Sequence, residues 1–257
     1  MERRQTFEAV AELYADVRPG YPVALFDDLA VLTGLGPPSR ILEIGCGAGQ
    51  ATRDLAARAQ HVVALDPGER LIAAARQRVS AANIDYIVST FEDFSVAPGA
   101  FDLVASAQAW HWVDSRISFS KAAQALAPSG WLAVFGHVPM AYGGSALPAL
   151  RSAYDTHVPG VWGRPSPQGG YYLPGGMLAD IFARSTAFGP VQHRSYAWTW
   201  HLDPETFGRY LRTDSGYHVL PENQRFALFD ALVAAVAQNG GTLAWSWETH
   251  LYAAQKL

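Results

Sequence analysis

Three glycines at alternate positions follow a short apolar stretch that ends in an acidic residue. The apolar pair at 41 and 42 leads to Glu43, and Gly45, Gly47 and Gly49 come next, before a helical pattern resumes. A strand, a glycine turn and a helix in this order bring bare backbone against a nucleotide-like ligand in α/β sheets. Glycine suits such a turn because it accepts positive φ and has no Cβ to hold the ligand away. The stretch therefore predicts a cofactor site.

The spacing of these glycines distinguishes between two classes of cofactor. A dinucleotide fingerprint, G-x-G-x-x-G counted from Gly45, would need glycine where Gln50 stands. Glu43 would also face a diphosphate with like charge, which is unfavourable. A ligand with an ammonium group and no phosphate fits better, and S-adenosylmethionine has this composition. A nicotinamide oxidoreductase is therefore the disfavoured alternative.

A second apolar run also ends in an acidic residue. Residues 61–66 are rich in β-branched side chains and finish with Asp66. An acid at that strand end, about 20 residues after the glycine loop, accepts hydrogen bonds from ribose hydroxyls. Pro67 would then lie along the adenine. The alternative is a helix-capping aspartate with no ligand.

The chain is similar to the class I S-adenosylmethionine-dependent methyltransferases, whose motif I corresponds to residues 41–52. It resembles in particular the small-molecule branch that includes trans-aconitate methyltransferase, through residues 14–22, 91–94, 107–114 and 210–222. The resemblance covers nearly the whole chain. It implies methyl transfer from S-adenosylmethionine to a small molecule, at a carboxylate or hydroxyl oxygen, in metabolism or natural-product biosynthesis, with S-adenosylhomocysteine as product.

The resemblance and the loop positions together give a set of cofactor-binding candidates. Arg18 lies in a helix break, where its guanidinium can pair with the methionine carboxylate, unless it is an ordinary surface arginine. Ala107 ends the fourth strand, where backbone carbonyls would meet the ammonium. For the adenine, the resemblance leaves the contact open between Phe91 and Glu92, and a solvated helix start is the alternative for the acid. The full set is Arg18, Glu43, Gly45, Cys46, Gly47, Gly49, Asp66, Pro67, Phe91, Glu92, Ala107 and Trp112.

The acceptor side is expected beyond the fourth strand, since open α/β sheets bind ligands outside the carboxyl ends of their strands. Trp110 and Trp112 are predicted to wall the methyl-transfer site. His111 is the candidate catalytic residue, because a histidine suits the deprotonation of a hydroxyl. A carboxylate acceptor needs no base, and a packing role between the tryptophans is then the expected one. The substrate-pocket set is Tyr21, Trp110, His111, Tyr210 and Thr213.

The composition of the chain narrows the classes of molecule that it is expected to bind. The chain has 257 residues, 49% of them hydrophobic, and a formal net charge of −4 without a run of basic residues. Nucleic-acid binding needs a basic footprint, which disfavours an RNA substrate. The acidic balance and the aromatic lid make RNA or protein the less favoured alternative. No apolar stretch is long enough for a membrane span, which predicts a cytoplasmic protein. A monomer or a homodimer is expected. The single cysteine, Cys46, is expected to be a small filler beside the ligand rather than a nucleophile. No metal is expected, because the histidines and acids do not cluster. A methyltransferase-fold protein that uses the cofactor without methylating remains a further alternative.

The order of the elements predicts one α/β domain over residues 1–257. Strands and helices alternate as in a doubly wound, mostly parallel, Rossmann-like sheet. The resemblance implies seven strands, the last one antiparallel. Residues 1–36 are predicted to form an N-terminal helical cover, and 139–185 and 203–240 a substrate lid inserted after strand five. Helices are predicted at 3–16, 21–33 and 116–128, among others, and the fifth strand at 131–138.

Overall fold

The computed structural model describes residues 11–162 and 167–257. The strands are β1 (Arg40–Ile44), β2 (His61–Asp66), β3 (Ile84–Val88), β4 (Phe101–Ala107), β5 (Leu126–Gly143), β6 (Gln192–Leu202) and β7 (Leu243–Gln255). The α-helices are α1 (Ala11–Val17), α2 (Val23–Thr33), α3 (Thr52–Ala56), α4 (Glu69–Arg78), α5 (Ser118–Ala125), α6 (Leu147–His157), α7 (Pro167–Tyr172), α8 (Met177–Arg184), α9 (Pro204–Thr213) and α10 (Glu222–Gln238). Short 3₁₀ helices occur at Trp110–Trp112 and Ser215–Val219.

All seven strands form one sheet in the order β3-β2-β1-β4-β5-β7-β6. The pairs from β3 to β5 are parallel, whereas β7 runs antiparallel to both of its neighbours. The predicted α/β class and the antiparallel final strand are confirmed. The strand order reverses direction at β1, which is where open α/β sheets leave a crevice for ligands.

The register of β1 and β2 sets the position of the two acidic motifs. Glu43 lies opposite Ala64, and the next pair along is Ile44 with Leu65. Because the carboxyl ends of parallel strands meet at one edge, the glycine loop after β1 and Asp66 at the end of β2 are neighbours. β1 is buried along its length after Arg40, as expected for a central strand with helices on both faces.

Two apolar layers cover the faces of the sheet, and a third cluster forms the cap. One layer packs α2 and α3 against β1, β4 and β5, and the other packs α5, α7 and α8 on the opposite face. The cap joins α6, α9 and α10 to the adjoining ends of β6 and β7 through many aromatic side chains. α1 packs on α4 through small apolar residues. The cap thus stands over the end of the sheet that carries the glycine loop and β7's tryptophans.

Three predicted boundaries are corrected. The helix predicted over 116–128 ends at Ala125, and β5 begins at Leu126 and continues to Gly143. Residues 139–143, predicted as lid, therefore belong to the sheet, because the long antiparallel β7 pairs with β5 as far as Gly143. A register shift between β4 and β5 accommodates the early start of the strand. Most of the helix predicted over 3–16 lies outside the described residues.

Across the described residues, no helix has both the length and the apolar character that a membrane crossing requires.

Candidate active site

The glycine loop needs glycine for a steric reason at its first position. Gly45 has φ of 71°, and a Cβ there would lie 2.2 Å from the Cβ of Ala109. The loop is thus pressed against the segment that follows β4. The backbone N–H of Cys46 donates to the carbonyl of Leu65 at 2.9 Å, which ties the loop to β2. The Cys46 side chain is buried, and burial raises the pKa of its thiol. The thiol therefore stays protonated, and the side chain fills space within the loop.

Asp66 joins the two loops at this edge of the sheet. Its carboxylate accepts from the backbone N–H of Gly47 at 2.9 Å and of Gly68 at 2.8 Å. The residue is 7% exposed. These two bonds fix the orientation of the carboxylate at the border of the second cavity.

Glu43 lies buried beneath the glycine loop, 1% exposed. Neither carboxylate oxygen has a well-formed hydrogen bond within the described residues. Burial raises the pKa of Glu43 to about 7, and the charge of Asp66 adds to the rise, while the Thr52 hydroxyl opposes part of it. A buried, under-partnered carboxylate of this kind is suited to stabilising a nearby cation.

Two cavities meet at the glycine loop, and both are bordered by Gly45 and Trp112. The first, of about 120 Å³, is lined by Tyr14, Arg18, Pro19, Tyr21, Gly45, Cys46, Gly47, Gln50, Ala51, Ala107, Gln108, His111, Trp112, His137, Pro139, Tyr210, Asp214 and Trp247. The second, of about 100 Å³, is lined by Ile44, Gly45, Asp66, Pro67, Gly68, Leu71, Ser89, Thr90, Phe91, Glu92, Ala109, Trp112 and Val113. Both cavities lie at the carboxyl ends of the parallel strands, and we call the two together the crevice.

Most of the predicted site residues line one of these cavities, and four do not. Those that border the crevice are Arg18, Tyr21, Gly45, Cys46, Gly47, Asp66, Pro67, Phe91, Glu92, Ala107, His111, Trp112 and Tyr210. Glu43 lies below the loop. Gly49 faces α4, where its Cβ would come 3.1 Å from Val79, and Thr213 contacts Arg18 instead of the cavity.

The prediction that Trp110 walls the methyl-transfer site is corrected, because this side chain does not border either cavity. It is 2% exposed and packs in the core, its ring centroid 6.3 Å from that of Phe91 and 5.6 Å from that of Phe119. The 3₁₀ turn at Trp110–Trp112 points successive side chains in different directions. Trp110 therefore anchors the segment, while His111 and Trp112 reach the cavity.

Arg18 is held by the cap. Its Nε donates to the Thr213 hydroxyl at 3.1 Å, Nη2 to the Thr213 carbonyl at 2.7 Å, and Nη1 to the Tyr210 hydroxyl at 3.2 Å. The guanidinium also lies over the rings of Tyr14 and Tyr210. These contacts join the N-terminal cover to α9 across the first cavity and fix the position of the guanidinium.

His111 makes one hydrogen bond, between its Nδ1 and the hydroxyl of Tyr172, at 3.1 Å. Tyr172 is fully buried on α7, and its own carbonyl accepts from the Tyr252 hydroxyl at 3.0 Å. Burial lowers the pKa of His111 to about 4, so the imidazole is uncharged at neutral pH. Nε2 is left as the ring nitrogen with no hydrogen-bond partner in the described part of the chain.

Gly136 on β5 makes room for two groups that shape the site. A Cβ at Gly136 would lie 2.1 Å from the Gln108 Oε1 and 2.7 Å from the ring of Tyr172. The Gln108 side-chain amide makes two hydrogen bonds to the His137 backbone. Its Oε1 accepts from the His137 N–H at 2.9 Å, and its Nε2 donates to the His137 carbonyl at 3.3 Å. Gln108 itself has φ of 58°, an unusual conformation for a residue with a side chain. The amide bridge stabilises this turn at the end of β4.

His137 is the second imidazole of the first cavity. Its Nδ1 is hydrogen-bonded to the Thr249 hydroxyl at 2.8 Å, and its ring stacks on Tyr21 at a centroid distance of 4.3 Å. Burial lowers the pKa of His137 to about 3. This histidine, with Gln108, Tyr172, Asp214 and Trp247, is absent from the residues predicted from the sequence. Gly136, a glycine inside a strand pattern, was the one local sequence signal that other side chains approach the backbone closely there.

Among the described residues, no group of three or more histidines, cysteines or acids is placed to hold a metal ion.

Comparison with known proteins gives one family match and several relatives. Residues 42–134 match the family described as the methyltransferase domain. A Saccharomyces cerevisiae protein whose name assigns it to the S-adenosylmethionine-dependent methyltransferases is 28% identical over 130 residues, 49% of this chain and 44% of that protein. Trans-aconitate 2-methyltransferase of Mycobacterium tuberculosis is 35% identical over 112 residues, 42% of this chain and 41% of that enzyme. The matched segment thus spans less than half the length of these relatives.

The likeness to solved structures extends over nearly the whole chain. A protein of Anaeromyxobacter dehalogenans, described as a type II methyltransferase, superimposes with a TM-score of 0.64 at 24% identity, over 93% of this chain and 97% of that one. At this identity the likeness concerns the fold. The chain thus shares its fold with this solved structure, and its residues 42–134 are similar to the methyltransferase domain.

Proposed function

We propose that this protein transfers a methyl group from S-adenosylmethionine to an oxygen atom of a small-molecule acceptor, a carboxylate or a hydroxyl, and releases S-adenosylhomocysteine. The observation that carries the proposal is the junction of the two cavities at Gly45 and Trp112. One cavity has the groups that suit an adenosine. The other continues from the glycine loop into an aromatic space that suits an acceptor.

The adenosine half of the cofactor would occupy the second cavity. Asp66, already oriented by two loop amides, would accept from the ribose hydroxyls. Pro67 would lie along the adenine, with Phe91 and Glu92 at its edge. This assignment explains why the acid at the end of β2 is buried yet borders a cavity.

The methionine half would extend into the first cavity. Arg18 is the cation in position to pair with the carboxylate, and the carbonyls near Ala107 would accept from the ammonium. Glu43, below the loop, would add a favourable negative potential. The sulfonium would come beside Trp112, which borders both cavities, and an aromatic face attracts a cation.

Methyl transfer from a sulfonium is an in-line displacement. A lone pair of the acceptor oxygen forms the bond to the methyl carbon, while the electron pair of the carbon–sulfur bond goes to sulfur. The protein's contribution is to hold the oxygen about 3–3.5 Å from the methyl carbon and to exclude water. Arg18 joins the N-terminal cover to the cap, and residues of both border the first cavity.

The size and charge of the site support a small acceptor. The first cavity is about 120 Å³ and lies under the cap, and the chain has a net charge of −4. A nucleic-acid substrate would need a basic surface. The trans-aconitate 2-methyltransferase among the relatives is named for a small-molecule substrate.

Calorimetry with S-adenosylhomocysteine and with NAD tests the cofactor assignment. We expect tight binding of the former and no heat from NAD, because the loop lacks the third glycine of a dinucleotide site and Glu43 would repel a diphosphate. Binding of NAD without binding of S-adenosylhomocysteine would contradict the proposal. Homocysteine-coupled detection of turnover with candidate acceptors then tests the transfer itself.

A further inference from the structure

The first cavity has little charge available for an acceptor. Among the described residues that line it, Arg18 and Asp214 alone bear a fixed charge. The Arg18 guanidinium already donates through all three of its nitrogens, to Thr213 and Tyr210. The second cavity adds the acids Asp66 and Glu92 and no basic residue within the described chain.

S-adenosylmethionine brings a carboxylate of its own into this space. Under the function proposed above, that carboxylate pairs with Arg18, so an acceptor carboxylate would find no second cation among the described residues that line the cavity. It would instead lie in the same cavity as the carboxylate of Asp214. Removing an unpaired charge from water costs several kcal/mol or more. The electrostatics of the site therefore oppose an anionic acceptor.

The walls of the cavity favour a flat, uncharged body. Tyr21, Tyr210 and Trp247 border it, and Tyr21 is held nearly parallel to the imidazole of His137, at an interplanar angle of 17°. Burial holds the pKa of His111 and His137 well below neutral, so neither ring supplies a positive charge. Aromatic surfaces of this kind stack on planar rings and gain from their burial.

We propose, building on the methyl transfer proposed above, that the acceptor is an uncharged aromatic hydroxyl compound and that His111 takes up its proton. Tyr172, fully buried, holds the ring through Nδ1 at 3.1 Å, which turns the opposite nitrogen, Nε2, away from that contact. His111 lines the same cavity as the aromatic walls. The proposal selects the hydroxyl from the two oxygen acceptors that the sequence allows.

The step is balanced within the site. An oxygen lone pair of the hydroxyl forms the bond to the methyl carbon, and the carbon–sulfur pair becomes a lone pair of neutral S-adenosylhomocysteine. The hydroxyl proton passes to Nε2 of His111, with Nδ1–H donating to the Tyr172 hydroxyl, so the imidazolium replaces the sulfonium as the local positive charge. Proton loss to solvent restores the imidazole. No oxidant, reductant or metal enters this step.

Matched acceptor pairs test the proposal on the full chain with S-adenosylmethionine. The pairs are phenol with benzoate and 2-naphthol with 2-naphthoate, and trans-aconitate is added as a polycarboxylate. We expect methyl ether from at least one hydroxyl compound, at a rate about tenfold or more above that of its carboxylate partner, since each buried unpaired charge costs at least that factor.

Equal or faster methylation of any carboxylate overturns the proposal. Absence of product from both hydroxyl compounds, in protein that binds S-adenosylhomocysteine, also overturns it. Absence of S-adenosylhomocysteine binding would instead contradict the proposed function.

The variant Asp214→Asn gives a second, independent readout. Asparagine keeps a side-chain oxygen to accept from the Gly216 N–H, a bond of 2.8 Å, but removes the negative charge. The inhibition constant of 2-naphthoate should fall by about threefold to tenfold, while that of 2-naphthol should hardly change. An unchanged constant for 2-naphthoate in the folded variant would mean that the charge of the site does not select the acceptor.

Discussion

The cofactor side and the acceptor side of the crevice are built in different ways. On the cofactor side, the glycine loop presents backbone, and Asp66, 19 residues from Gly47, is hydrogen-bonded to it. On the proposed acceptor side, side chains come from distant parts of the chain: His137 and Thr249 are 112 residues apart, and His111 and Tyr172 are 61 apart. The comparison teaches that a site made by one local turn is visible in a sequence, whereas a site made by tertiary contacts is not.

The two sides also differ in how they treat charge. The proposed cofactor side buries two carboxylates, Asp66 at the border of the second cavity and Glu43 beneath the glycine loop. The acceptor side has two imidazoles that burial keeps uncharged, His111 and His137. Substitutions on one side should therefore change cofactor affinity, and substitutions on the other should change turnover at unchanged affinity.

The largest expected effect is on the acceptor side. His111→Asn should lower kcat by about 10²–10⁴-fold, the usual contribution of a general base. The affinity for S-adenosylhomocysteine, measured by calorimetry, should stay within about twofold, because the base acts on the acceptor's proton. Loss of affinity in parallel with kcat would mean that His111 belongs to the cofactor side.

The pH profile gives a further check on the same residue. Burial lowers the pKa of His111 to about 4, so the imidazole is already a base over the neutral range. The His111-dependent part of kcat should thus be constant from neutral pH downward and fall only as pH approaches about 4. A fall near pH 6.5, the ordinary pKa of histidine, would show that His111 is not buried as described.

The next effect is on the cofactor side. Asp66→Ala removes charge-assisted bonds to the ribose worth about 1.5–3 kcal/mol, so S-adenosylhomocysteine affinity should fall by about one to two decades. The bonds to Gly47 and Gly68 are lost as well, which should lower thermal stability. Asp155→Ala, at an exposed position on α6, is the matched control. An unchanged dissociation constant in folded Asp66→Ala would leave Asp66 as a loop cap alone.

How far the sequence predicts the molecule follows the same division. The strands from β1 to β4 and the glycine loop were predictable, because periodicity and turn chemistry act over a few residues. The antiparallel direction of the last strand was expected from the family resemblance alone. The helix predicted over 116–128 was wrong at its end, since Leu126 pairs with Phe101 of β4 and begins β5. Local helical preference was overridden there by pairing with a neighbouring strand.

On the acceptor side, sequence reasoning identified side chains but not their surroundings. Trp110 and Trp112 are equivalent by residue type, yet one packs in the core and the other borders both cavities. Tyr172 and Gly136 contribute through shape, Gly136 by admitting the Tyr172 ring. Neither pattern nor spacing specifies such a contact, because it depends on how β5 and α7 pack.

A smaller effect on the cofactor side is a pH dependence of stability and of cofactor affinity that originates at Glu43. Burial raises the pKa of Glu43 from 4.5 to about 7, so the native state holds this proton more tightly than the unfolded chain does. Stability of the empty protein should therefore decrease as pH rises between these two values. The ligand's ammonium favours the ionised carboxylate, and affinity for S-adenosylhomocysteine should rise with pH, by up to about tenfold between pH 6 and 7.5. Glu43→Gln should flatten both dependences, and a dependence that persists in this variant would assign it to another group.

The smallest effect concerns the contact that positions His111. Tyr172→Phe removes one neutral hydrogen bond, worth about 0.5–1.5 kcal/mol, so kcat should fall by about twofold to twelvefold with cofactor affinity unchanged. Tyr171→Phe is the matched control, because the Tyr171 ring also packs on His111, at 5.6 Å between centroids, without a hydrogen bond to it among the described residues.

A merely structural role for Tyr172 would also lower kcat, by loosening the site, so a readout specific to the imidazole is needed. The ¹⁵N shifts of His111 should change in Tyr172→Phe and not in Tyr171→Phe, because only the former alters the hydrogen bond at Nδ1. In a double-mutant cycle, Tyr172→Phe should have almost no further effect on kcat once His111 is asparagine, since two residues that act as one unit are not additive. Additive losses in the cycle would separate Tyr172 from His111. The acceptor side would then depend on packing at Gly136 rather than on an oriented base.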